Sequence, residues 1–347
     1  MSFWLGRRVL VTGHTGFKGA WLSEWLLGLG AKLSGIALAP QQDQPLFDQL
    51  GLAGRLDHSV LDIRDPAPLV DKIKELEPEI VIHMAAQPLV LPSYADPLTT
   101  WATNVMGSAH VMEGLRGLTS RCGVVMVTTD KVYQNREWLY PYRESDRLGG
   151  HDPYSASKAA MELAISSWRK SFFVDHPVNV ASARAGNVIG GGDWAAHRLV
   201  PDIVRALQAD QAIAIRNPRA VRPFQHVLEP LSGYLRLAEA LFLRPDDLDE
   251  AYNFGPEPSD LKTVEQLVEA ALLAWPGRWE DQSDPGALHE AGLLSLGIEA
   301  SRAALGYAPR WDSQKAVAST MQWYRDAASG ADIGDITRAQ IAEFGTP

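Results

Sequence analysis

The sequence contains one cysteine, Cys122, so no disulfide can form within the chain. Structural disulfides belong to oxidising compartments, and a chain without one fits a reducing compartment best. No apolar run reaches the roughly 18 residues that are needed to cross a bilayer. The first residues also lack the charged, apolar and small-residue zones of a secretory signal. We therefore expect a cytoplasmic protein that has no membrane partner.

An excess of positive charge is also missing, because the formal net charge is −10. Proteins bind duplex nucleic acid largely by neutralising its phosphates, so this charge argues against a nucleic-acid partner. The nine histidines are scattered and do not pair with Cys, Asp or Glu at metal-ligand spacing, so we expect no metal site. One basic stretch could still hold a small anion, and it contains Arg184, Arg198, Arg205, Arg216, Arg219 and Arg222.

Short apolar runs, typical of buried parallel strands, alternate with segments of helical spacing. The strand-like runs cover residues 7–13, 33–38, 58–61, 80–84, 124–128 and 178–183. The helical segments between or after them cover residues 18–29, 94–114 and 153–171. This alternation predicts an α/β fold with a Rossmann-type, doubly wound parallel sheet and helices on both faces.

Glycine recurs with the spacing G-x-x-G-x-x-G at Gly13, Gly16 and Gly19, between the first predicted strand and the first predicted helix. Glycine lets the backbone turn tightly and approach a pyrophosphate, whose charge then lies at the helix N-terminus. A glycine triplet alone is weak evidence, but a strand–loop–helix setting is the one that dinucleotide binding requires. Within the loop, His14 and Lys18 are expected to pack or to face solvent.

The choice between NAD and NADP depends on the end of the second predicted strand. An acid that binds the ribose is usual near position 39, where this chain has Ala39, with Asp43 four residues further on. No lysine or arginine lies between residues 35 and 44 to hold a 2′-phosphate, which favours NAD. Asp62 and Ile63 follow another predicted strand; Asp62 is either an adenine contact or a surface carboxylate.

Proline and glycine interrupt the chain after about residue 187. Helical patterns return at residues 228–243, 262–274, 313–328 and 336–344, and residues 251–255 could add one more strand to the sheet. A chain of 347 residues favours two unequal domains. We expect a dinucleotide-binding domain of residues 1–186 and 227–257, and a smaller substrate domain of residues 187–226 and 258–347.

Three side chains form the predicted catalytic constellation. Thr129 ends a strand-like run, and Tyr154 and Lys158 lie one helical turn apart about 25 residues later. A tyrosine of pKa about 10 is a poor base at neutral pH, and a nearby ammonium stabilises its phenolate. Lowering that pKa to about 7 takes roughly 4 kcal/mol, which requires an enclosed site. Tyr154 would then accept a proton from a substrate hydroxyl, held by Thr129, as hydride leaves the same carbon for nicotinamide.

Longer motifs carry a resemblance to a known family. With them the chain resembles the extended short-chain dehydrogenases/reductases and, more narrowly, the CDP-D-glucose 4,6-dehydratases. The motifs extend to about residue 260 and are GHTGFKG (13–19), HMAAQPLV (83–90), TNVMG (103–107), TTDKVY (128–133), NREW (135–138), DPYSASK (152–158), SARAGNVIGGGDW (182–194), IRNP (215–218) and RPFQHVLEPLSGY (222–234).

The resemblance implies a lyase that oxidises C4 of a nucleotide-linked glucose with bound NAD, eliminates water across C5 and C6, and returns hydride to C6. It implies that Asp130 protonates the leaving C6 hydroxyl and that Lys131 stands where related dehydratases carry a glutamate acting at C5. The cofactor contacts that it implies are Gly13, Thr15, Gly16, Phe17, Gly19, Asp62, Ile63, Ala85, Ala86, Gln87, Asn104, Thr128, Tyr154 and Lys158.

The resemblance also explains the basic stretch, because guanidinium groups suit the oxygens of a substrate diphosphate. The expected substrate contacts are Asn187, Arg198, Arg216 and Arg222, with Gln225 and His226 near the sugar. The partner is then a nucleotide sugar, CDP-glucose first. The family also implies a homodimer, or a dimer of dimers, formed through the helices at 94–114 and 153–171.

Four positions depart from the family pattern and leave the catalytic groups in place. Leu91 stands where an arginine usually follows QPLV, and Ala39 where an aspartate usually ends the second strand. Val132 and Gln134 replace a usual cysteine and glutamate.

Two other functions stay open on the sequence. A nucleotide-sugar 4-epimerase or decarboxylase would share the glycine loop, Tyr154 and Lys158, but an epimerase needs no acid such as Asp130 to expel a hydroxyl. A non-catalytic NAD-sensing protein would need only the glycine loop, so the presence of Thr129 and the tyrosine–lysine pair counts against it.

Overall fold

Seven parallel strands form the central sheet in the computed structural model, which describes residues 2–40, 44–196, 198–283 and 293–347. In chain order the strands of the described residues, including those of three small two-stranded sheets, are β1 (Arg8–Thr12), β2 (Lys32–Ala37), β3 (Asp57–Val60), β4 (Ile80–His83), β5 (Cys122–Val127), β6 (Val178–Ala185), β7 (Val188–Ile189), β8 (Ile213–Ile215), β9 (Val221–Arg222), β10 (Gln225–His226), β11 (Ala251–Phe254), β12 (Lys262–Thr263) and β13 (Trp279–Asp281). The sheet order is β11-β6-β5-β4-β1-β2-β3, and every neighbouring pair in it is parallel. The predicted Rossmann-type α/β fold is confirmed.

Helices cover both faces of this sheet. In chain order the helices of the described residues, including those outside this sheet, are α1 (Phe17–Gly28), α2 (Leu46–Gln49), α3 (Pro66–Leu76), α4 (Val90–Ala95), α5 (Pro97–Trp101), α6 (Ser108–Leu115), α7 (Pro153–Phe172), α8 (Leu199–Gln208), α9 (Leu228–Leu243), α10 (Val264–Ala274), α11 (Glu299–Leu305), α12 (Ser313–Ala328) and α13 (Ile333–Phe344). Successive residues of β1 point to opposite faces, so Val9 and Val11 enter the core shared with α1 and α9, whereas Leu10 enters the core shared with α3, α6 and α7.

The helix expected at residues 94–114 is interrupted. Its first part belongs to α4, which ends at Ala95, and α5 begins at Pro97. The Asp96 side chain accepts a hydrogen bond from the Thr99 amide, and a proline at the first helical position suits a new start. A π-helical stretch, Ala102–Gly107, then leads into α6. The break separates two helices that periodicity alone joins into one.

Other predicted elements lie close to their expected places. The strand expected at 251–255 is β11, which pairs with β6 at one edge of the sheet. The structure adds α3 and α8, which the apolar spacing did not predict. Across the parts of the chain that the structure describes, no helix combines the length and apolar character needed to cross a membrane.

Candidate active site

One cleft of about 1370 Å³ opens where the carboxyl ends of β1, β4, β5 and β6 meet. This is the edge at which doubly wound sheets bind ligands. The cleft gathers most of the residues predicted from sequence, namely Gly13, Thr15, Gly16, Phe17, Gly19, Asp62, Ile63, Ala85, Ala86, Gln87, Thr128, Thr129, Asp130, Lys131, Tyr154, Lys158, Asn187, Arg198, Arg216 and Arg222. Three predicted residues, Asn104, Gln225 and His226, are not among those lining it.

The three glycines of the loop serve two different purposes. Gly13 has a φ of +76°, and a Cβ there would lie 2.7 Å from the Ala85 nitrogen. A Cβ on Gly19 would lie 2.2 Å from the Gly13 oxygen. A Cβ on Gly16 would meet only that same oxygen, at 3.4 Å, so packing does not require glycine there. Gly16 is exposed and lines the cleft, so its missing side chain leaves room for a ligand to approach the backbone.

The start of α1 faces the same cleft. Gly16 is the N-cap of this helix and provides no side chain to cap the first amides. Such amides, together with the helix dipole, suit the charge of a pyrophosphate. A hydrogen bond joins the loop to the residue that follows β2, because the Thr15 hydroxyl donates to the Leu38 carbonyl at 3.0 Å. The residues present therefore fit the diphosphate of a dinucleotide.

A carboxylate and an arginine line the far end of the cleft, near Ala39. Arg64 donates to both carboxylate oxygens of Asp62, with Nη2 2.5 Å from Oδ2 and Nε 3.0 Å from Oδ1. This guanidinium lowers the pKa of Asp62. Arg64 lies 25 residues beyond Ala39 in sequence, so the residues around the second strand gave no sign of this cation. Asp43 lies outside the described residues.

Asn104 does not line the cleft and instead forms hydrogen bonds with residues that do or that lie next to them. Its Oδ1 accepts from the Gln87 amide at 2.8 Å, and its Nδ2 donates to the Gln87 carbonyl at 3.1 Å and to the Ser157 hydroxyl at 2.9 Å. Asn104 is fully buried. It therefore fixes the loop carrying Gln87 against α7, and the direct cofactor contact expected of it is not supported.

Tyr154 and Lys158 lie on the first two turns of α7, whose N-terminus is capped by Asp152. The exposed fractions are 8% for Tyr154 and 3% for Lys158, so the pair is enclosed, as its proposed chemistry requires. The Lys158 ammonium donates to the Val127 carbonyl at 3.1 Å, which anchors it to the end of β5.

The expected lowering of the Tyr154 pKa is wrong for this arrangement. Burial raises the pKa of Tyr154 to about 12, and the hydrogen bond with Thr129 opposes that shift. Burial lowers the pKa of Lys158 to about 7, Lys18 lowers it further, and Glu162 raises it. The cost of burying a charge dominates both groups, so the phenol stays protonated at neutral pH.

Asp130 is buried at the start of the turn that follows β5. Burial raises the pKa of its carboxyl, although Lys131, the Thr129 hydroxyl and Arg222 oppose the shift. The Thr129 hydroxyl donates to Oδ1 of Asp130 at 3.0 Å. A carboxyl of raised pKa beside the tyrosine–lysine pair is suited to donate a proton.

Lys18 is a site residue that sequence reasoning missed. It lines the cleft, and its Nζ donates to the Tyr234 hydroxyl at 3.4 Å. Burial and then Arg198 lower the pKa of Lys18 to about 8. A lysine among the apolar residues that begin α1 was the available signal. His14 packs beneath the loop as expected, with Nε2 2.7 Å from Nδ1 of His58.

The predicted diphosphate contacts all line the cleft. Arg198 donates to Oδ2 of Asp193 at 2.9 Å, and Arg222 is close enough to Asp130 to oppose the rise in its pKa. Arg216 is exposed, and Asn187 lies after the end of β6. These four residues add hydrogen-bond donors and positive charge to the lining of the cleft that also holds the catalytic turn.

Gln225 and His226 lie in β10, inside the core. The Gln225 amide donates to the Phe254 carbonyl at 3.0 Å. The His226 ring contacts Trp21 and Trp311, with centroids 5.7 and 4.8 Å away, and burial lowers its pKa to about 3. The structure therefore contradicts the substrate contacts expected of both residues.

Comparisons with known proteins agree with this architecture. Residues 10–250 match the family model described as GDP-mannose 4,6 dehydratase. The chain is 44% identical to the CDP-glucose 4,6-dehydratase of Salmonella typhimurium, across 99% of this chain and 97% of that protein. It is 30% identical to the dTDP-glucose 4,6-dehydratase of Streptomyces antibioticus, across 92% of each.

Solved structures with lower identity share the fold. A UDP-glucose-4-epimerase from Stenotrophomonas maltophila, solved with NAD and formylated UDP-arabinopyranose, superposes with a TM-score of 0.81 at 20% identity, covering 94% of this chain and 100% of that one. The dTDP-glucose 4,6-dehydratase DesIV from Streptomyces venezuelae gives a TM-score of 0.78 at 23% identity, covering 94% and 99%. From the matched family model and the extent of the sequence identity, the chain belongs to the GDP-mannose 4,6 dehydratase family.

Proposed function

We propose that the chain is an NAD-dependent nucleotide-sugar 4,6-dehydratase, a lyase that converts CDP-D-glucose to CDP-4-keto-6-deoxy-D-glucose and water. The observation that carries the proposal is the buried carboxyl of Asp130, of raised pKa, beside Thr129, Tyr154 and Lys158 in one enclosed cleft. Expelling a hydroxyl requires such an acid, whereas epimerisation does not. The 44% identity to a protein named CDP-glucose 4,6-dehydratase supports the choice of nucleotide.

The first step is oxidation at C4 of the sugar. Tyr154 accepts the proton of the C4 hydroxyl, and Thr129 holds that hydroxyl in place. When bound, NAD would supply the hydride acceptor for C4, the hydride donor for C6, and the positive charge of its nicotinamide. The buried Tyr154 phenol, whose pKa of about 12 is too high for a base at neutral pH, would ionise more readily beside such a positive charge.

The second step is elimination of water. The C4 ketone makes the C5 proton acidic, and we assign its removal to the uncharged amine form of Lys131, which lines the cleft next to Asp130. Asp130 gives its proton to the C6 hydroxyl, which leaves as water. C6 then gains the hydride that left C4, and C5 regains the proton held by Lys131. The proton that Tyr154 took from the C4 hydroxyl balances the one that Asp130 gave up, so the product is a 6-deoxy-4-keto sugar and no net oxidation occurs.

The remaining assignments follow from position in the cleft. The loop of Gly13, Gly16 and Gly19 would hold the cofactor diphosphate, and Asp62 with Ile63 its adenosine end. The other residues that would contact the cofactor are Thr15, Phe17, Ala85, Ala86, Gln87 and Thr128. Asn187, Arg198, Arg216 and Arg222 would hold the substrate diphosphate.

We also propose a homodimer, or a dimer of dimers. Four apolar side chains on α5, the π-helical stretch and α7 are exposed, namely Leu98 (82%), Trp101 (42%), Met106 (52%) and Leu163 (64%). A second copy of this surface would bury them in a helix bundle. The division into domains 1–186 with 227–257 and 187–226 with 258–347, and the cytoplasmic location, stay predictions.

Incubating the purified protein with CDP-, UDP-, GDP- and dTDP-glucose tests the function directly. The product of a 4,6-dehydratase is a keto sugar with a chromophore in base, and we expect it from CDP-glucose first. A second assay uses CDP-glucose labelled with deuterium at C4. The label should appear at C6 of the product. Its return to C4 with inverted configuration would identify an epimerase, and its loss to solvent would indicate a dissociable cofactor.

A further inference from the structure

A buried carboxylate lies directly beneath the predicted catalytic groups. Glu162 is on α7, one turn after Lys158 and two turns after Tyr154, so the three side chains share one face of that helix. Only 5% of Glu162 is exposed, and it is not among the residues that line the cleft. It therefore cannot contact substrate directly, and its effect must pass through its neighbours.

Four donors occupy the Glu162 carboxylate. Oε1 accepts from the Thr128 hydroxyl at 2.5 Å and from Arg184 Nε at 2.9 Å. Oε2 accepts from the Ser182 hydroxyl at 2.7 Å and from Arg184 Nη2 at 2.9 Å. Burial opposes ionisation, yet Arg184 and the hydroxyls lower the pKa of Glu162, so it is charged at neutral pH. The carboxylate thereby joins α7 to the ends of β5 and β6.

Arg184, the partner of Glu162 in the ion pair, also bonds to residues that follow the catalytic turn in sequence. Nη1 of Arg184 donates to the Tyr133 hydroxyl at 2.9 Å and to the Glu144 carbonyl at 3.0 Å. The Tyr133 hydroxyl in turn donates to Oδ1 of Asn253 in β11 at 2.7 Å. Thr128 precedes the turn and Tyr133 follows it, so one network holds both ends of residues 129–132.

Stability alone does not explain a buried ion pair. Desolvating two charges is costly, and replacing such a pair with apolar side chains of similar volume is often neutral or stabilising. What apolar packing lacks is direction, since a bidentate guanidinium and two hydroxyls fix the carboxylate in one orientation. Catalysis is sensitive to such geometry, because a displacement of about 1 Å can cost on the order of 10²-fold in rate.

We infer that Glu162 and Arg184 are positioning residues that hold the turn of Thr129, Asp130 and Lys131 in register with the tyrosine–lysine pair. The kinetic consequence of this inference rests on the proposed function. The structural consequence, an ordered turn, does not depend on which reaction the enzyme catalyses.

Glu162→Gln tests the inference, with Glu24→Gln as the matched control. Glu24 is also buried and is bound by Arg55 and Arg338, but it lies on α1 outside the cleft. Hydrogen exchange measured by mass spectrometry should show the backbone amides of residues 129–133 exchanging at least about tenfold faster in Glu162→Gln. The same amides in Glu24→Gln should match the wild type.

Kinetics with CDP-glucose provide the second measurement. We expect kcat of Glu162→Gln to fall by about 10²-fold while KM stays within about twofold. The predicted substrate contacts Asn187, Arg198, Arg216 and Arg222 are unchanged in this variant. A wild-type protein that is inactive on all four nucleotide glucoses would contradict the proposed function. Whether Glu162 and Arg184 order the turn is tested by the exchange experiment alone.

A double variant covers the case in which Glu162→Gln does not fold. Glu162→Met with Arg184→Met removes both members of the ion pair together, so neither is left buried without the other and the fold should be retained. The turn should still exchange faster than in the wild type. Unchanged exchange in the foldable variant, or an equal acceleration in Glu24→Gln, would overturn the inference.

Discussion

The floor of the cleft and its arginine-bearing wall are built in different ways. The floor, Thr129, Asp130, Tyr154 and Lys158, is at least 92% buried at every position. The Lys158 ammonium and the Thr129 hydroxyl already have partners within the protein. The wall, Asn187, Arg198, Arg216 and Arg222, is half-buried or exposed.

This contrast separates two kinds of contribution to the reaction. Groups that are fixed before substrate arrives need no reorganisation during the chemical step, so the floor should act on kcat. Arginines that bind a diphosphate hold it equally in the ground state and the transition state, so the wall should act on KM. Substitutions in the floor, in the wall and at the cofactor end of the cleft can break or sharpen this division, with expected effects that run from the largest to the smallest.

Tyr154→Phe should have the largest effect. The change removes only the phenolic oxygen, and loss of a general base typically costs about 10²–10⁴-fold in rate. We expect kcat on CDP-glucose to fall by that amount, with cofactor affinity within a few-fold of wild type by titration calorimetry. Activity close to wild type would mean that another group takes the C4 proton.

Asp130→Asn should separate oxidation from dehydration. Asparagine keeps the size of the side chain but cannot donate a carboxyl proton, so elimination should slow by about 10²-fold or more. Oxidation depends on Tyr154, Lys158 and Thr129 and should survive. The 4-keto-hexose and the near-ultraviolet absorbance of reduced nicotinamide should therefore accumulate, with little 6-deoxy product by mass spectrometry.

The wild-type pH profile offers a check on the same acid. Burial raises the pKa of Asp130 in the folded protein, so the protonated form persists to higher pH than for an ordinary aspartate. Dehydration should decline as the pH rises through that raised pKa. Normal formation of the 6-deoxy product by Asp130→Asn would mean that another residue is the acid.

Arg222→Ala should act on the wall. A lost charged hydrogen bond to a diphosphate is worth about 1.5–3 kcal/mol, so KM should rise by about 10- to 100-fold. Steady-state kinetics should show kcat within a few-fold of wild type. Arg222 also opposes the rise in the Asp130 pKa, so a fall in kcat with KM unchanged would place Arg222 in the floor.

Sequence reasoning located the floor far better than its surroundings. Strand ends and helix starts are local features, so Thr129, Tyr154 and Lys158 could be placed in one site from periodicity and spacing. Gln225 and His226 follow Arg222 in the same motif, but both are buried in β10. Gln225 donates to the Phe254 carbonyl, and His226 contacts two tryptophans from distant segments. Burial of that kind is tertiary, and no local pattern records it.

The electrostatics of the floor depended on the fold in the same way. The spacing of Tyr154 and Lys158 predicted a lowered phenol pKa, but burial raises the pKa of the phenol and lowers that of the ammonium in the folded chain. The Glu162–Arg184 pair joins residues 22 positions apart in sequence, and only the adjacency of α7 and β6 brings them together. The chemical groups could be predicted from sequence, whereas their pKa values and supports required the fold.

The cofactor end of the cleft gives the smallest predicted effect. Ala39 provides no carboxylate for the adenosine ribose, and residues 35–44 contain no lysine or arginine for a 2′-phosphate. The nearby guanidinium of Arg64 is engaged by Asp62 on both carboxylate oxygens. The nucleotide released from denatured protein should therefore be mainly NAD, identified by chromatography against NADP.

Asp62→Asn should shift that preference modestly. The substitution removes the charge that neutralises Arg64 and leaves a cation at the cleft rim, where a 2′-phosphate could meet it. Exposed ion pairs are worth about 0.2–1 kcal/mol, so the ratio of NADP to NAD affinity should rise by no more than about fivefold. Added salt should shrink the gain, because the site is open to solvent. Fluorescence titration of both cofactors at two salt concentrations measures each effect. Arg64→Ala is the matched control, since it removes the cation itself and should give no gain for NADP. If Asp62→Asn left the ratio unchanged while Arg64→Ala lowered it, the arginine would already serve the 2′-position in the wild type, and the assignment of NAD would be wrong.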